Sequence, residues 1–71
     1  MTETKNTVLI AEDNIALLNL MAEAMTAEGF EVIKAKDGEE ALQKIYQTFP
    51  DIVILDYFMP KKNAIEIVKE I

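Results

Sequence analysis

Three short strand-like segments punctuate the chain: the apolar run Val8-Leu9-Ile10-Ala11, the alternating segment Glu31–Lys36, and the apolar run Ile52-Val53-Ile54-Leu55. Helical periodicity fills the gaps between them. The first strand is predicted over Thr7–Ala11. A helix over roughly Asn14–Glu28 follows and stops at Gly29, because glycine readily takes the left-handed conformation a helix C-terminus needs. The second strand covers about Glu31–Lys36. Asp37 then reads as an N-cap, with Glu40 three residues on completing a capping box. The helix it opens carries Leu42, Ile45, Tyr46 and Phe49 at i, i+3, i+4 and i+7, a single core-facing stripe. Pro50 and Asp51 break that helix before the third strand, Ile52–Leu55. After Met59-Pro60 a last helix begins near Asn63, with Ala64, Ile67, Val68 and Ile71 as its stripe.

The order β-α-β-α-β-α implies an α/β fold with a parallel sheet, right-handed crossovers and helices on both faces, half of a doubly wound domain. The alternating, lysine-bearing second strand suits a sheet edge. The third strand, with no polar residue, suits a strand covered on both faces and flanked by neighbours. On the first helix, Ile15, Leu17, Leu18, Leu20, Met21, Ala24 and Met25 wrap a wider arc than one sheet contact needs. Something else should pack there.

Length tightens this picture. Seventy-one residues allow one domain, with a thin stability margin. No Cys and no His are present, so disulfides and a structural zinc are excluded and self-association is the remaining remedy. A homodimer is expected, joined through the third strand or the last helix and the outer face of the first helix. Thirteen acidic residues against seven lysines, with no arginine, give a net charge of −6. That balance excludes nucleic-acid binding by this segment. With no apolar stretch of about 18 residues and no signal-peptide core at the N-terminus, a soluble cytoplasmic protein with no membrane role is expected.

The chemistry lies where the apolar runs stop. The first ends in Glu12 and Asp13, the third in Asp56. If these strands are parallel neighbours, three carboxylates converge outside the carboxyl ends of the strands, where open α/β sheets bind ligands. Like charges gathered there call for a hard cation. The alternative is that such carboxylates only cap the following helix.

At this point the sequence resembles the receiver domain of two-component response regulators. The segments that carry the resemblance are Val-Leu-Ile-Ala-Glu-Asp-Asn at 8–14, Gly-Phe-Glu-Val at 29–32, Ala-Lys-Asp-Gly-Glu-Glu-Ala-Leu at 35–42 and Pro-Asp-Ile-Val-Ile-Leu-Asp-Tyr-Phe-Met-Pro at 50–60. The last is the most specific, since an acceptor Asp followed three and four residues later by Met-Pro is a family signature. The resemblance implies a flavodoxin-like sheet with strand order 2-1-3 and Asp56 as phosphoacceptor. It implies Mg²⁺ (or Mn²⁺) held by Asp13, by Glu12 through water, by Asp56 and by the backbone carbonyl of Phe58. It also implies a sensor histidine kinase or phosphotransfer protein as partner.

Residues 1–71 then correspond to one partial receiver domain without the fourth and fifth strand units, which in the family supply a Ser or Thr and a Lys. Lys61 and Lys62 do not match that Lys. The expected function is Mg-dependent phosphoryl transfer to Asp56, impaired in this chain, by a signalling module rather than an enzyme with turnover. A C-terminal receiver half would then be a second possible partner. The alternative is a half-domain that self-assembles with an idle acidic site. A phosphohydrolase of the haloacid dehalogenase type needs a second Asp two residues after the first, where Phe58 stands and cannot transfer a proton.

Overall fold

Four consecutive buried residues, Val8 to Ala11, make the first strand the centre of the sheet. The computed structural model describes residues 6–55 and residue 69. Within them the elements run β1 (Thr7–Ala11), α1 (Ile15–Ala27), β2 (Glu31–Ala35), α2 (Gly38–Thr48) and β3 (Ile52–Leu55). Both neighbours of β1 are parallel to it, in the order β2-β1-β3. Backbone bonds alternate along the central strand. Glu31 N donates to Asn6 O and Glu12 N to Ala35 O on the β2 side, while Asp51 N donates to Thr7 O on the β3 side.

A strand with neighbours on both edges and helices on both faces has no face left for water, hence its unbroken apolar run. Its side chains divide between two cores. Leu9 and Ala11 join Ala35 and Ala41, with Ile33, Leu42, Ile45 and Leu55 packed around them on the α2 face. Val8 and Ile10 join Leu18, with Met21, Met25, Phe30, Val32 and Ile54 on the α1 face. The helices therefore lie on opposite sides of the sheet.

Each helix starts at a side-chain cap. Asn14, extended, accepts from Leu17 N through Oδ1 (3.1 Å), so the helix begins one residue after the cap. Asp37 Oδ1 accepts from Glu40 N (2.8 Å), as the sequence suggests. Glu40 closes the turn differently, since its Oε1 accepts from Lys36 N (2.7 Å), one residue before the cap. At the other end of α1, Gly29 has φ +96°, the left-handed stop expected of it.

One expectation is corrected. The stripe on α2 is shorter than its periodicity: Leu42 and Ile45 pack on the core, but Tyr46 is 53% and Phe49 78% exposed. The helix ends at Thr48, and Phe49 turns left-handed at φ 48° while its N–H still bonds Ile45 O. Pro50 disfavours the right-handed conformation at the residue before it, which turns Phe49 off the helical path. Among the described residues β3 pairs with β1 alone, and Ile52 and Val53 are exposed, an apolar strand with one open side. The wide apolar arc of α1 is as expected, with Leu18 and Ala22 buried and Ile15, Leu17 and Leu20 exposed. The last predicted helix lies outside the described residues, apart from Lys69, which is helical. No helix among the described residues is long and apolar enough to cross a membrane.

Asp51 does more than break a helix. Its Oδ2 accepts from Thr7 N at 2.7 Å while its own N–H donates to Thr7 O at 2.9 Å, which ties the start of β3 to the start of β1. Asp51→Ala should cost about 1 kcal/mol in urea unfolding, below the ~1.5–3 kcal/mol of a hydrogen bond to a charged group because the site is exposed. Asp51→Asn should recover part of it. An unchanged midpoint in the alanine variant would show that water replaces the clamp.

Candidate functional site

The carboxyl end of β1 is held in place from two directions. Glu12 N donates to Ala35 O (3.0 Å), fixing the residue to β2. Its side-chain Oε2 accepts from Asn14 N (3.1 Å), and the residue is 8% exposed. Asn14 in turn caps α1, with Leu18 N bonding its carbonyl at 2.8 Å. Asp13 lies between these two anchors and is exposed. The sequence thus builds one buried and one solvent-facing carboxylate from adjacent positions.

Two acids are stable here for a physical reason. The first turn of α1 contains no acidic residue. The partial positive charge of its N-terminus is therefore complemented by the preceding loop, where Glu12 and Asp13 stand. Burial would otherwise penalise the Glu12 carboxylate, and the Asn14 N–H offsets part of that penalty. The cap role of Asn14 is one that hydrophobic periodicity did not single out. Its signal was the residue type, since Asn before an apolar periodic run is a preferred cap.

The register aligns the carboxyl ends of the three strands. Ala11 is abreast of Leu55 on one side and Ala35 on the other, so all three strands end at the same level. Asp56 follows Leu55 directly in sequence, but Asp56 and Phe58 lie outside the described residues. Among the described residues no three acidic side chains cluster to hold a metal ion. Asp37, at the same edge after β2, is buried and engaged in capping α2, so it is not a third ligand. The donor chemistry of Glu12 and Asp13, hard carboxylate oxygens at a strand end, fits Mg²⁺.

Comparisons with known proteins agree with this geometry. Residues 8–71 match the family model of the response regulator receiver domain. The probable transcriptional regulator ycf27 of Guillardia theta is 41% identical over 69 residues, covering 97% of this chain and 27% of that protein. The transcriptional regulatory protein CpxR of Escherichia coli (strain K12) is 42% identical over 64 residues, covering 90% and 27%. Among solved structures, chemotaxis response regulator CheY4 of Vibrio cholerae superposes with a TM-score of 0.90 at 34% identity, covering 94% of this chain and 56% of that one. The CheX-CheY-BeF3-Mg²⁺ complex from Borrelia burgdorferi gives 0.83 at 38%, covering 89% and 49%. The chain thus spans about a quarter of these curated relatives and about half of these solved chains. A parallel sheet in the order 2-1-3, with an acidic pair closing its central strand and a family match from Val8 to the last residue, places the chain among the receiver domains of two-component response regulators, which are signalling modules.

Proposed function

We propose that this chain is the phosphoacceptor part of a receiver, with Asp56 as the acceptor and Glu12, Asp13, Asp56 and the Phe58 carbonyl as the Mg²⁺ (or Mn²⁺) set. The observation that carries the reading is the two-sided anchoring of Glu12 beside an exposed Asp13 at the end of the central strand. A solved relative that is a complex with BeF3 and Mg²⁺ supports it from outside. Residues 1–71 correspond in this reading to a partial receiver domain, consistent with its coverage of the relatives. A sensor histidine kinase or phosphotransfer protein is the phosphodonor, in the cytoplasm. The apolar arc of α1 and the open side of β3 are covered by a C-terminal receiver half or by a second copy.

Each residue has a distinct task. Glu12, hydrogen-bonded to the N–H of Asn14, fixes the loop and contributes charge from a buried position. Asp13 supplies a carboxylate that faces solvent and reaches incoming ligands. When bound, the divalent cation supplies neutralisation between these acids and an anionic phosphodonor. A carboxylate oxygen of Asp56 then forms the new bond to phosphorus as the bond to the donor's leaving group breaks with its electron pair. The product is an acyl phosphate.

The test is chemical. Treated with acetyl phosphate and Mg²⁺, the chain should gain one hydroxylamine-labile phosphoryl group at Asp56, slowly, because no Lys of the family's type balances the incoming charge. Asp56→Asn should gain none, and a C-terminal receiver half should accelerate the parent. The exposed Val53 and Leu20 favour one second reading, a self-assembling half-domain with an idle acidic site. Mass spectrometry separates the two. No label at Asp56, with or without the C-terminal half, would leave only the second.

A further inference from the structure

The two outer edges of the sheet are treated differently. In the parallel ladder, Glu31, Ile33 and Ala35 direct their N–H and C=O groups to β1, as the bonds from Glu31 N to Asn6 O and from Glu12 N to Ala35 O require. Val32 and Lys34 therefore direct theirs outward, with Phe30 and Lys36 flanking them. Three of these outward groups are already engaged from within the chain. Phe30 N donates to Met25 O (3.1 Å) at one end. Lys36 N donates to Glu40 Oε1 (2.7 Å) at the other. Between them Lys44 Nζ, reaching across from α2, donates to Lys34 O at 2.6 Å.

We propose that Lys44 is an edge guard, whose ammonium occupies the Lys34 carbonyl and so denies β2 to an edge strand from a second copy of this chain. An added strand pairs by engaging both the N–H and the C=O of outward residues. With Lys34 O taken, Val32 alone offers a complete pair, and one paired residue does not hold a strand. Removal of Lys44 restores a second pair at Lys34. The Lys34 side chain is committed elsewhere, donating from Nζ to Asn19 Oδ1 at 3.1 Å, and so cannot cover its own carbonyl. An open, alternating edge is a template for association, and a charged group placed on it is a known class of protection. On β3 the outward residues are Ile52 and Ile54, with no charged side chain in the strand. Among the described residues such a guard stands on β2 and not on β3.

The full chain tests this through Lys44→Met, which keeps the apolar stem and helix propensity and removes the donor, with Lys44→Arg as the variant that keeps one. Light scattering over a concentration series should show Lys44→Met rising to about twice the parent's mass or more, while Lys44→Arg follows the parent. Amide exchange should place the new contact. Val32 and Lys34 amides should exchange freely in the parent and become protected as Lys44→Met associates, with Val8 and Ile10 protected throughout. A Lys44→Met variant with the parent's mass at every concentration overturns the proposal, as does association that leaves Val32 and Lys34 unprotected. Protection of both amides in the parent overturns it too, whether or not the variant folds.

Discussion

Leu9→Ala should leave a substantial fraction of the chain unfolded at room temperature. Leu9 is fully buried in the central strand and packs with Ala11, Ala35 and Ala41, ringed by Ile33, Leu42, Ile45 and Leu55. Three of the four residues in that buried group are alanine or smaller in reach than leucine, so neighbouring side chains have little length with which to fill the void. Truncating a buried leucine costs about 2–5 kcal/mol, with the upper part of the range applying where the site cannot collapse. A chain of 71 residues has on the order of 4–10 kcal/mol in total. The loss is therefore comparable to the whole margin. Val53→Ala, at a strand position 36% exposed, should cost about 1 kcal/mol or less by comparison. Urea unfolding followed by circular dichroism measures both. Equal midpoints for the two variants would mean that the α2-side core contributes far less than its burial implies.

Asp13→Ala should weaken Mg²⁺ binding by at least about tenfold, or about 1.4 kcal/mol. The residue is the solvent-facing member of the pair, and its removal takes away a direct oxygen ligand where Glu12 is already engaged by Asn14 N. Net charge is a competing explanation for any such loss, since the chain carries −6. Glu28→Ala removes the same charge from the exposed C-cap of α1, about 20 Å along the helix from the end where the acidic pair stands, and should leave affinity within about twofold, because exposed charges beyond a Debye length are screened. Calorimetric titration of both variants separates ligation from bulk charge. Equal affinity in Asp13→Ala and the parent would remove Asp13 from the site.

The sequence pattern carried the architecture because the decisive signals were local. Uninterrupted apolar residues at 8–11, glycine at 29 and an acidic cap at 37 each dictate backbone geometry within a few residues. The acidic pair was legible for the same reason, being adjacent in sequence at a strand end. Periodicity overreached at Tyr46 and Phe49, since an i, i+3, i+4, i+7 stripe assumes that the helix continues and Pro50 ends it first. For β3 the limit was of another kind. An apolar strand signals that cover is needed, without saying which residues provide it. The bonds from Thr7 N to Asp51 and from Lys44 to Lys34 O had no sequence signature at all. Each joins a backbone group to a side chain far along the chain, and almost any carbonyl or N–H could have been the partner.

The placement of β1 at the centre of the sheet sets an order on biosynthesis. The strand with the greatest need for neighbours on both edges is synthesised before either of them. Its β2 partner arrives at residues 31–35 and its β3 partner only at 52–55. At about 5–20 residues per second, the interval between those two arrivals is on the order of 1–4 s. Helix formation and hairpin-scale pairing are far faster than that. The β1-α1-β2 unit therefore has time to assemble while the other edge of β1 stays open, with Leu9 and Ala11 awaiting α2 and β3. Nascent chains of this length are the stage at which a chaperone, or a wrong strand, would find this protein most receptive.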